Sequence, residues 1–305
     1  MKVTVLGPQR RPTLATVAQD LDPARPIATV TAGWQDREPD DGELDGLLDG
    51  RSANLRLHAR WHDVLADDPD YAAAERAYLA VRREQRELYL IALDGVLRAL
   101  HETVRVGGDS VHSAARVDAE AVVRLADERH LSRVREARTA FEATVRAGER
   151  TAVARHRAEV GEVLTAASAL VVAGGHVGVL LHLLRLFAVP APEVLVAWSA
   201  GAMALTERVL LFHDPDPHDA APHDPSHAEF LDAGLGWLRG CVLLPHARRR
   251  LRTDDPGRMA ELAFRAAPAR CVVLDDGVRL DVRPDSGLPP EARVVTADGR
   301  IATAA

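Results

Sequence analysis

The sequence predicts a three-layer α/β/α sandwich with a mostly parallel sheet, into which a long helical stretch is inserted. Three observations predict this fold class. Short apolar runs typical of buried strands lie near both ends of the chain, turns and helices follow several of them, and the stretch 68–165 holds almost only helix-forming and charged residues. We therefore expect one α/β domain built from 1–67 and 166–305, with 68–165 as a helical insertion.

The strand predictions rest on apolar runs that end in turn signals. Strands are expected at 2–6, 27–31, 55–61 (at an edge), 169–173 and 194–198. All of these except 55–61 are expected to share one sheet. Near the end of the sequence, Cys271–Leu274 and Val278–Val282 flank Asp275-Asp276-Gly277, which predicts a β-hairpin.

The helical stretch shows apolar residues at helical spacing. The first stripe predicts the seam of a helical hairpin and consists of Tyr71, Tyr78, Val81, Leu88 and Ile91. Gly107–Ser110 breaks it, and later stripes are Val134, Ala137, Phe141 and Val145, then Val153, Val160 and Leu164. The stretch either packs on itself, covers a site as a lid, or joins two subunits. Large residues of the first stripe should not be exposed to solvent on a protruding arm, so we expect a second subunit to cover them in a homodimer.

Composition excludes several classes of function. The 305 residues carry a net charge of -7 and only 4% aromatic residues, which argues against nucleic-acid partners. Cys241 and Cys271 are the only cysteines, too few for a disulfide scaffold or a cysteine-rich zinc site. No apolar run reaches the ~18 residues of a membrane span, and Met1–Pro8 lacks a signal-peptide core. We expect a cytoplasmic protein without a membrane partner.

The strongest chemical signal is the stretch Val194–Leu205. An apolar strand leads into Ser199, small residues follow at Ala200 and Gly201, and a helix begins at once. This is the arrangement of a nucleophile elbow, in which a sharp turn exposes the serine hydroxyl. The stretch reads Ala-Trp-Ser-Ala-Gly and so lacks the first glycine of G-x-S-x-G. A serine after a strand is also an ordinary helix cap, so both interpretations stand at this point.

A second loop is expected at the same edge of the sheet. Gly174-Gly175-His176 follows the preceding strand, and the carboxyl ends of parallel strands meet at one edge. Two glycines let backbone amides approach a ligand closely. His176 either contacts substrate or caps the next helix.

Thirteen histidines offer candidates for a general base. His246 stands out because it follows the apolar run Val242–Pro245, although a structural histidine is the alternative. Four others, His213, His218, His223 and His227, lie among Asp214, Asp216, Asp219 and Asp224. Prolines interrupt that segment, so a solvated loop is favoured, and no metal site is predicted.

In combination, Gly174-Gly175, Ala197–Ala202, Asp214 and Pro245-His246 resemble the peptidase E and cyanophycinase family. These serine peptidases have a class I glutamine amidotransferase-like fold. The resemblance covers residues ~165–250 and, loosely, the first ~60. It implies Ser199 as nucleophile, His246 as general base, Asp214 as orienting carboxylate, and Gly175 and Ala200 as oxyanion-hole amides. Asp216 or Asp219 are alternatives to Asp214, and Met203 and the stretch 68–165 depart from the family pattern.

The resemblance also implies a substrate class. We expect a cofactor-independent serine hydrolase that cleaves small peptides, some of them containing aspartate. Gly174 and His176 are candidate substrate contacts, and Arg10, Arg11 and Arg37 are candidates to bind a substrate carboxylate. The alternatives are a catalytically silent protein acting through its helical insertion, and an esterase or amidase that uses the same elbow.

Overall fold

The computed structural model describes residues 1–9, 13–107, 110–212, 228–283 and 287–304. Its strands are β1 (Lys2–Leu6), β2 (Ile27–Val30), β3 (Ser52–Asn54), β4 (Ala169–Val172), β5 (Val194–Trp198), β6 (Arg208–Leu211), β7 (Glu229–Ala233), β8 (Cys241–Pro245), β9 (Arg270–Leu274), β10 (Arg279–Val282), β11 (Arg293–Val295) and β12 (Ile301–Thr303). Its α-helices are α1 (Leu14–Ala18), α2 (Gly42–Leu47), α3 (Leu57–Asp67), α4 (Pro69–Val106), α5 (Ser110–Val145), α6 (Thr151–Ala166), α7 (Val177–Leu186), α8 (Ala200–Ala204), α9 (Ala247–Arg250) and α10 (Pro256–Ala266). Two 3₁₀ segments are Ala32–Arg37 and Ala147–Glu149.

The largest sheet has the strand order β10-β1-β5-β4-β2-β3. Strands β1, β5, β4, β2 and β3 run parallel, and only β10 is antiparallel to its neighbour. The four runs that were predicted to share one sheet do so, which confirms that prediction. Smaller sheets have the orders β12-β11-β9-β8 and β6-β7.

Both faces of the main sheet are covered by helices. Along β4, Leu170 and Val172 contribute to the larger core, with side chains of α3, α6, α7 and α8. Val171 points the other way, into a smaller core with side chains of α1 and α2. This alternation follows from the period of two along a strand. The α/β class with a mostly parallel sheet is therefore confirmed.

One predicted strand and one predicted strand pairing are wrong. Residues 55–61 do not form a strand: β3 ends at Asn54 and α3 begins at Leu57. The buried Glu38 carboxylate accepts hydrogen bonds from the second and third backbone N–H groups of α3, those of His58 (3.0 Å) and Ala59 (2.9 Å). Such a distant cap leaves no local signal in the sequence.

The predicted C-terminal hairpin is also absent, because its two strands join different sheets. β9 pairs with β8 and β11, whereas β10 pairs antiparallel with β1. The turn between them crosses from one sheet to the other. It is fixed to the end of β1 by the backbone hydrogen bond from Gly7 N–H to Val278 O, at 2.8 Å.

Helices α4 and α5 pair as the predicted hairpin, but only the first two residues of the first stripe face inward. Tyr71 is buried and Tyr78 stacks on Phe141, with ring centroids 4.5 Å apart. Val81, Leu88 and Ile91 point to solvent, and Ile91 is 72% exposed. The buried side of the second half of α4 instead carries Tyr89, Leu93, Leu97 and Leu100. The later stripes are confirmed by the buried Val134, Val145, Val153 and Val160.

The hairpin packs along the α/β core. Phe264 of α10 packs against the small cluster that Tyr89 and Leu93 form with Val123 of α5. Tyr71 and Tyr78 are covered within the chain, so they no longer argue for a second subunit. The homodimer stays a prediction, and Leu88 and Ile91 are the exposed positions at which to test it.

No helix in the described part of the chain combines the length and the apolar composition that a bilayer crossing requires.

Candidate active site

Ser199 occupies a strained turn between β5 and α8. Its backbone angles, φ 50° and ψ -125°, lie in a region that non-glycine residues rarely adopt. The turn is tight because α8 starts against the end of β4: a Cβ on Gly201 would lie 2.4 Å from the carbonyl oxygen of Val172. The geometry matches the predicted strand–serine–helix elbow.

His246 meets the serine from the neighbouring sheet. It follows β8, as expected, and its Nε2 lies 3.0 Å from Ser199 Oγ. Its own backbone is left-handed (φ 58°), and its N–H donates to Leu274 O at 3.0 Å, which fixes the turn to β9. Both side chains are half-buried. The pair has the hydrogen-bond distance that a nucleophile and its general base require.

The cysteines do not compete for the role of nucleophile. Cys241 and Cys271 are buried in β8 and β9. Burial raises the pKa of each thiol to about 12, so neither is a thiolate at neutral pH.

The glycine loop after β4 lies directly beside the serine. A Cβ on Gly174 would meet Ser199 Cβ at 2.9 Å, so only glycine allows this approach. Gly175 has φ +115°, and a Cβ there would lie 2.3 Å from the carbonyl oxygen of Gly33. Among the described residues, the N–H groups of Gly175 and Ala200 donate no hydrogen bond. Two unpaired amides next to a nucleophile can hold a developing oxyanion.

Replacing Gly175 by alanine tests this loop. The added Cβ collides with the Gly33 backbone and opposes the positive φ, so the loop must shift. Because losing one oxyanion donor typically costs about 10²–10³ in kcat, we expect at least a 100-fold loss, measured in steady-state kinetics. Gly161→Ala is the matched control, since a Cβ there on α6 meets nothing within 4 Å. Equal activity of the two variants would contradict an oxyanion role for this loop.

Ser199 and His246 open into a cleft of about 760 Å³. Its walls also include Trp34, Met203 and Phe212, and it contains groups of both charges. These are Arg86, Glu229 and Arg250. Arg86 reaches the cleft from α4 and binds Glu229 through its Nε, 2.9 and 3.0 Å from the two carboxylate oxygens.

Sequence reasoning missed Arg86 and Glu229. Arg86 lies in a stretch of charged helix, where a solvated surface is the ordinary expectation. Glu229 is only 2% exposed, and nothing in its sequence neighbourhood distinguishes it. The two residues lie 143 positions apart, so only the tertiary structure brings them together.

The other predicted residues divide into three groups. His176 caps α7, with its Nδ1 accepting from Val179 N–H at 3.2 Å, and its side chain also lines the cleft. Arg37 lies outside the cleft: its side chain is 81% exposed and pairs with Asp40. The third group falls outside the described residues and comprises Arg10, Arg11, Asp214, Asp216 and Asp219.

A second cavity of about 640 Å³ adjoins the cleft beneath the hairpin. His176 and Leu231 line both spaces. The side chain of Asp232 lies at its wall and is only 10% exposed. It accepts hydrogen bonds from Arg82 of α4 at 3.0 Å and from Arg138 of α5 at 3.1 Å, and it forms an ion pair with Arg185 of α7 at 3.5 Å. Three guanidinium groups around one carboxylate leave this cavity with an excess of positive charge.

Comparison with family models and with curated proteins gave no match to this chain.

Proposed function

We propose that the protein is a serine hydrolase of the peptidase E and cyanophycinase type, with a class I glutamine amidotransferase-like fold, that cleaves small peptides. The observation that carries the proposal is the 3.0 Å contact between Ser199 Oγ and His246 Nε2, made by a serine in a strained elbow. The amides of Gly175 and Ala200 beside it, which donate to no other group in the described part of the chain, supply the second element of such a site.

The chemistry follows from these positions. As Ser199 Oγ attacks the scissile carbonyl carbon, His246 Nε2 takes the hydroxyl proton, and the carbonyl oxygen becomes an oxyanion near the two amides. Collapse of this intermediate breaks the C–N bond, and His246 returns the proton to the leaving amine. Water then hydrolyses the acyl-enzyme by the same steps. Asp214, or Asp216 or Asp219, would orient the imidazole, as the resemblance implies.

The cleft supports a small, charged substrate. A dipeptide or tripeptide carries both an ammonium and a carboxylate, and the cleft has both signs of charge in Arg86, Arg250 and Glu229. Arg86 is held in position by its hydrogen bonds to the buried Glu229, and its side chain is 42% exposed, so it is a candidate to donate to an acidic substrate side chain. A cytoplasmic location is part of the same proposal.

Two assays separate this proposal from its alternatives. Fluorophosphonate labelling of the wild type but not of Ser199→Ala would show an activated serine. A panel of Asp-X and neutral dipeptides, run beside p-nitrophenyl esters, then distinguishes a peptidase from an esterase. Ester hydrolysis without dipeptide cleavage supports the esterase. Absence of both labelling and turnover supports a silent protein acting through its helices.

A further inference from the structure

Three side chains capable of binding metal meet on the surface, outside the residues that line the catalytic cleft. They are Asp36 in the first 3₁₀ segment and His58 and His62 on α3, and their ligand atoms all lie within 4.8 Å of one another. The two histidines are four residues apart, so they occupy one face of the helix. Their rings are 4.7 Å apart between centroids and nearly perpendicular, at 78°.

The backbone holds these side chains in place. Gln35 has φ 57° and ψ -127°, which breaks the 3₁₀ segment just before Asp36. Two residues after Asp36 comes the buried Glu38, whose carboxylate accepts from the N–H groups of His58 and Ala59, the second and third residues of α3. The segment and the helix are thus joined by hydrogen bonds at 3.0 and 2.9 Å. The donors therefore need only rotamer adjustments to converge on one ion.

The donor chemistry selects the ion. Imidazole nitrogens together with a carboxylate oxygen are ligands of Zn²⁺, and a set of three leaves a fourth position for water. Among the described residues, no hydrogen bond engages a ring nitrogen of His58 or His62. Asp36 and His62 are exposed, so an ion can enter from solvent, whereas His58 is only 7% exposed and fixes the inner side.

We propose that Asp36, His58 and His62 form a binding site for a divalent transition metal of the zinc class. The ion would join the 3₁₀ segment to α3. The same segment carries Gly33 and Trp34: Gly33 O accepts from His176 N–H at 2.8 Å, and Trp34 lines the catalytic cleft. The metal would therefore stabilise one wall of the cleft without taking part in the reaction. This inference does not depend on the proposed hydrolase activity.

Titration of the chelator-treated full-length protein with Zn²⁺, followed by calorimetry, tests the site. We expect one ion per chain, a higher melting temperature in Zn²⁺, and tetrahedral-type absorption bands with Co²⁺. Removing one ligand should lower the affinity for Zn²⁺ by more than the about 10–100-fold that is typical of changing a residue that only hydrogen-bonds to a ligand. His62→Ala and Asp36→Asn alter exposed side chains, so both should fold while losing the binding and the rise in melting temperature.

Two control variants keep the result specific. His101→Ala removes a half-exposed histidine of α4 that pairs with Glu261, and it should bind Zn²⁺ as the wild type does. His218→Ala combined with His223→Ala removes histidines of the Asp- and His-rich segment and should also leave the stoichiometric site intact. The proposal is overturned if the wild type binds no ion at 1:1, or if His62→Ala binds Zn²⁺ as tightly as the wild type. Loss of binding in the His218/His223 variant alone overturns it too.

Discussion

His246→Ala is expected to lower kcat/KM for a cleaved peptide by about 10⁴–10⁶-fold, and Ser199→Ala by a similar factor. The two groups act as one unit, because the serine is a poor nucleophile until the imidazole 3.0 Å away takes its proton. The double variant should therefore be no worse than either single variant. Steady-state kinetics on the best dipeptide of the panel measures all three.

Ser132→Ala serves as the control for these variants. Ser132 is an exposed residue of α5 whose hydroxyl donates to Glu136, and it is not among the residues that line the cleft. Its replacement should therefore leave the activity unchanged. Single variants of Ser199 or His246 that keep activity within about tenfold of wild type would refute the proposed pair.

Asp127→Ala is expected to destabilise the protein by about 3–5 kcal/mol, because it removes the nearer of the two carboxylates that pair with a buried guanidinium and leaves only Glu261, at 3.5 Å. The Arg265 side chain is fully buried and donates to both carboxylate oxygens of Asp127, each at 2.9 Å. Tyr89 also donates to Asp127, at 2.6 Å. The change therefore removes all of these hydrogen bonds, which join α5 to α4 and α10. Urea unfolding followed by circular dichroism measures the loss.

The matched control is Asp94→Ala on α4. Asp94 pairs with Arg98 one turn later, and both side chains are more than half exposed. Pairs of this kind contribute about 0.3–0.5 kcal/mol. Similar losses from the two variants would show that the buried network does not hold the hairpin to the core.

The local sequence pattern was sufficient to predict where Ser199 and His246 lie relative to their own strands. An apolar run followed by small residues placed Ser199 after β5, and an apolar run ending at Pro245 placed His246 after β8. The local pattern cannot predict the distance between the two side chains, because β5 and β8 belong to different sheets. That contact depends on how the sheets pack, and the family resemblance, rather than the spacing, suggested it.

The helical hairpin shows why the buried face of α4 was assigned wrongly. Hydrophobic periodicity selects the face with Val81, Leu88 and Ile91, yet the face that α4 turns inward carries two half-buried arginines ahead of its apolar residues Tyr89 and Leu93. That face bears Arg82 and Arg86, which pair with Asp232 and Glu229 of β7. The arginines can be partly buried because carboxylates about 150 positions away compensate their charge. A local sequence pattern carries no information about such distant partners.

The candidate metal ligands were hidden by the wrong strand at 55–61. In a strand, His58 and His62 would stand about 13 Å apart at ~3.3 Å per residue, too far to share an ion. In α3 they lie one turn apart. The correct secondary structure therefore changes which chemistry these two residues can perform.

The position of β1 in the sheet has a consequence for synthesis of the chain. This strand pairs with β5 on one side and with β10 on the other, with Lys2 opposite Val194 and Leu6 opposite Arg279. At a translation rate of about 5–20 residues per second, the 273 positions from Leu6 to Arg279 take roughly 14–55 s to emerge. Throughout that interval β1 is an apolar strand with at least one unpaired edge. Segments of this kind are bound by chaperones and tend to aggregate when no chaperone binds them.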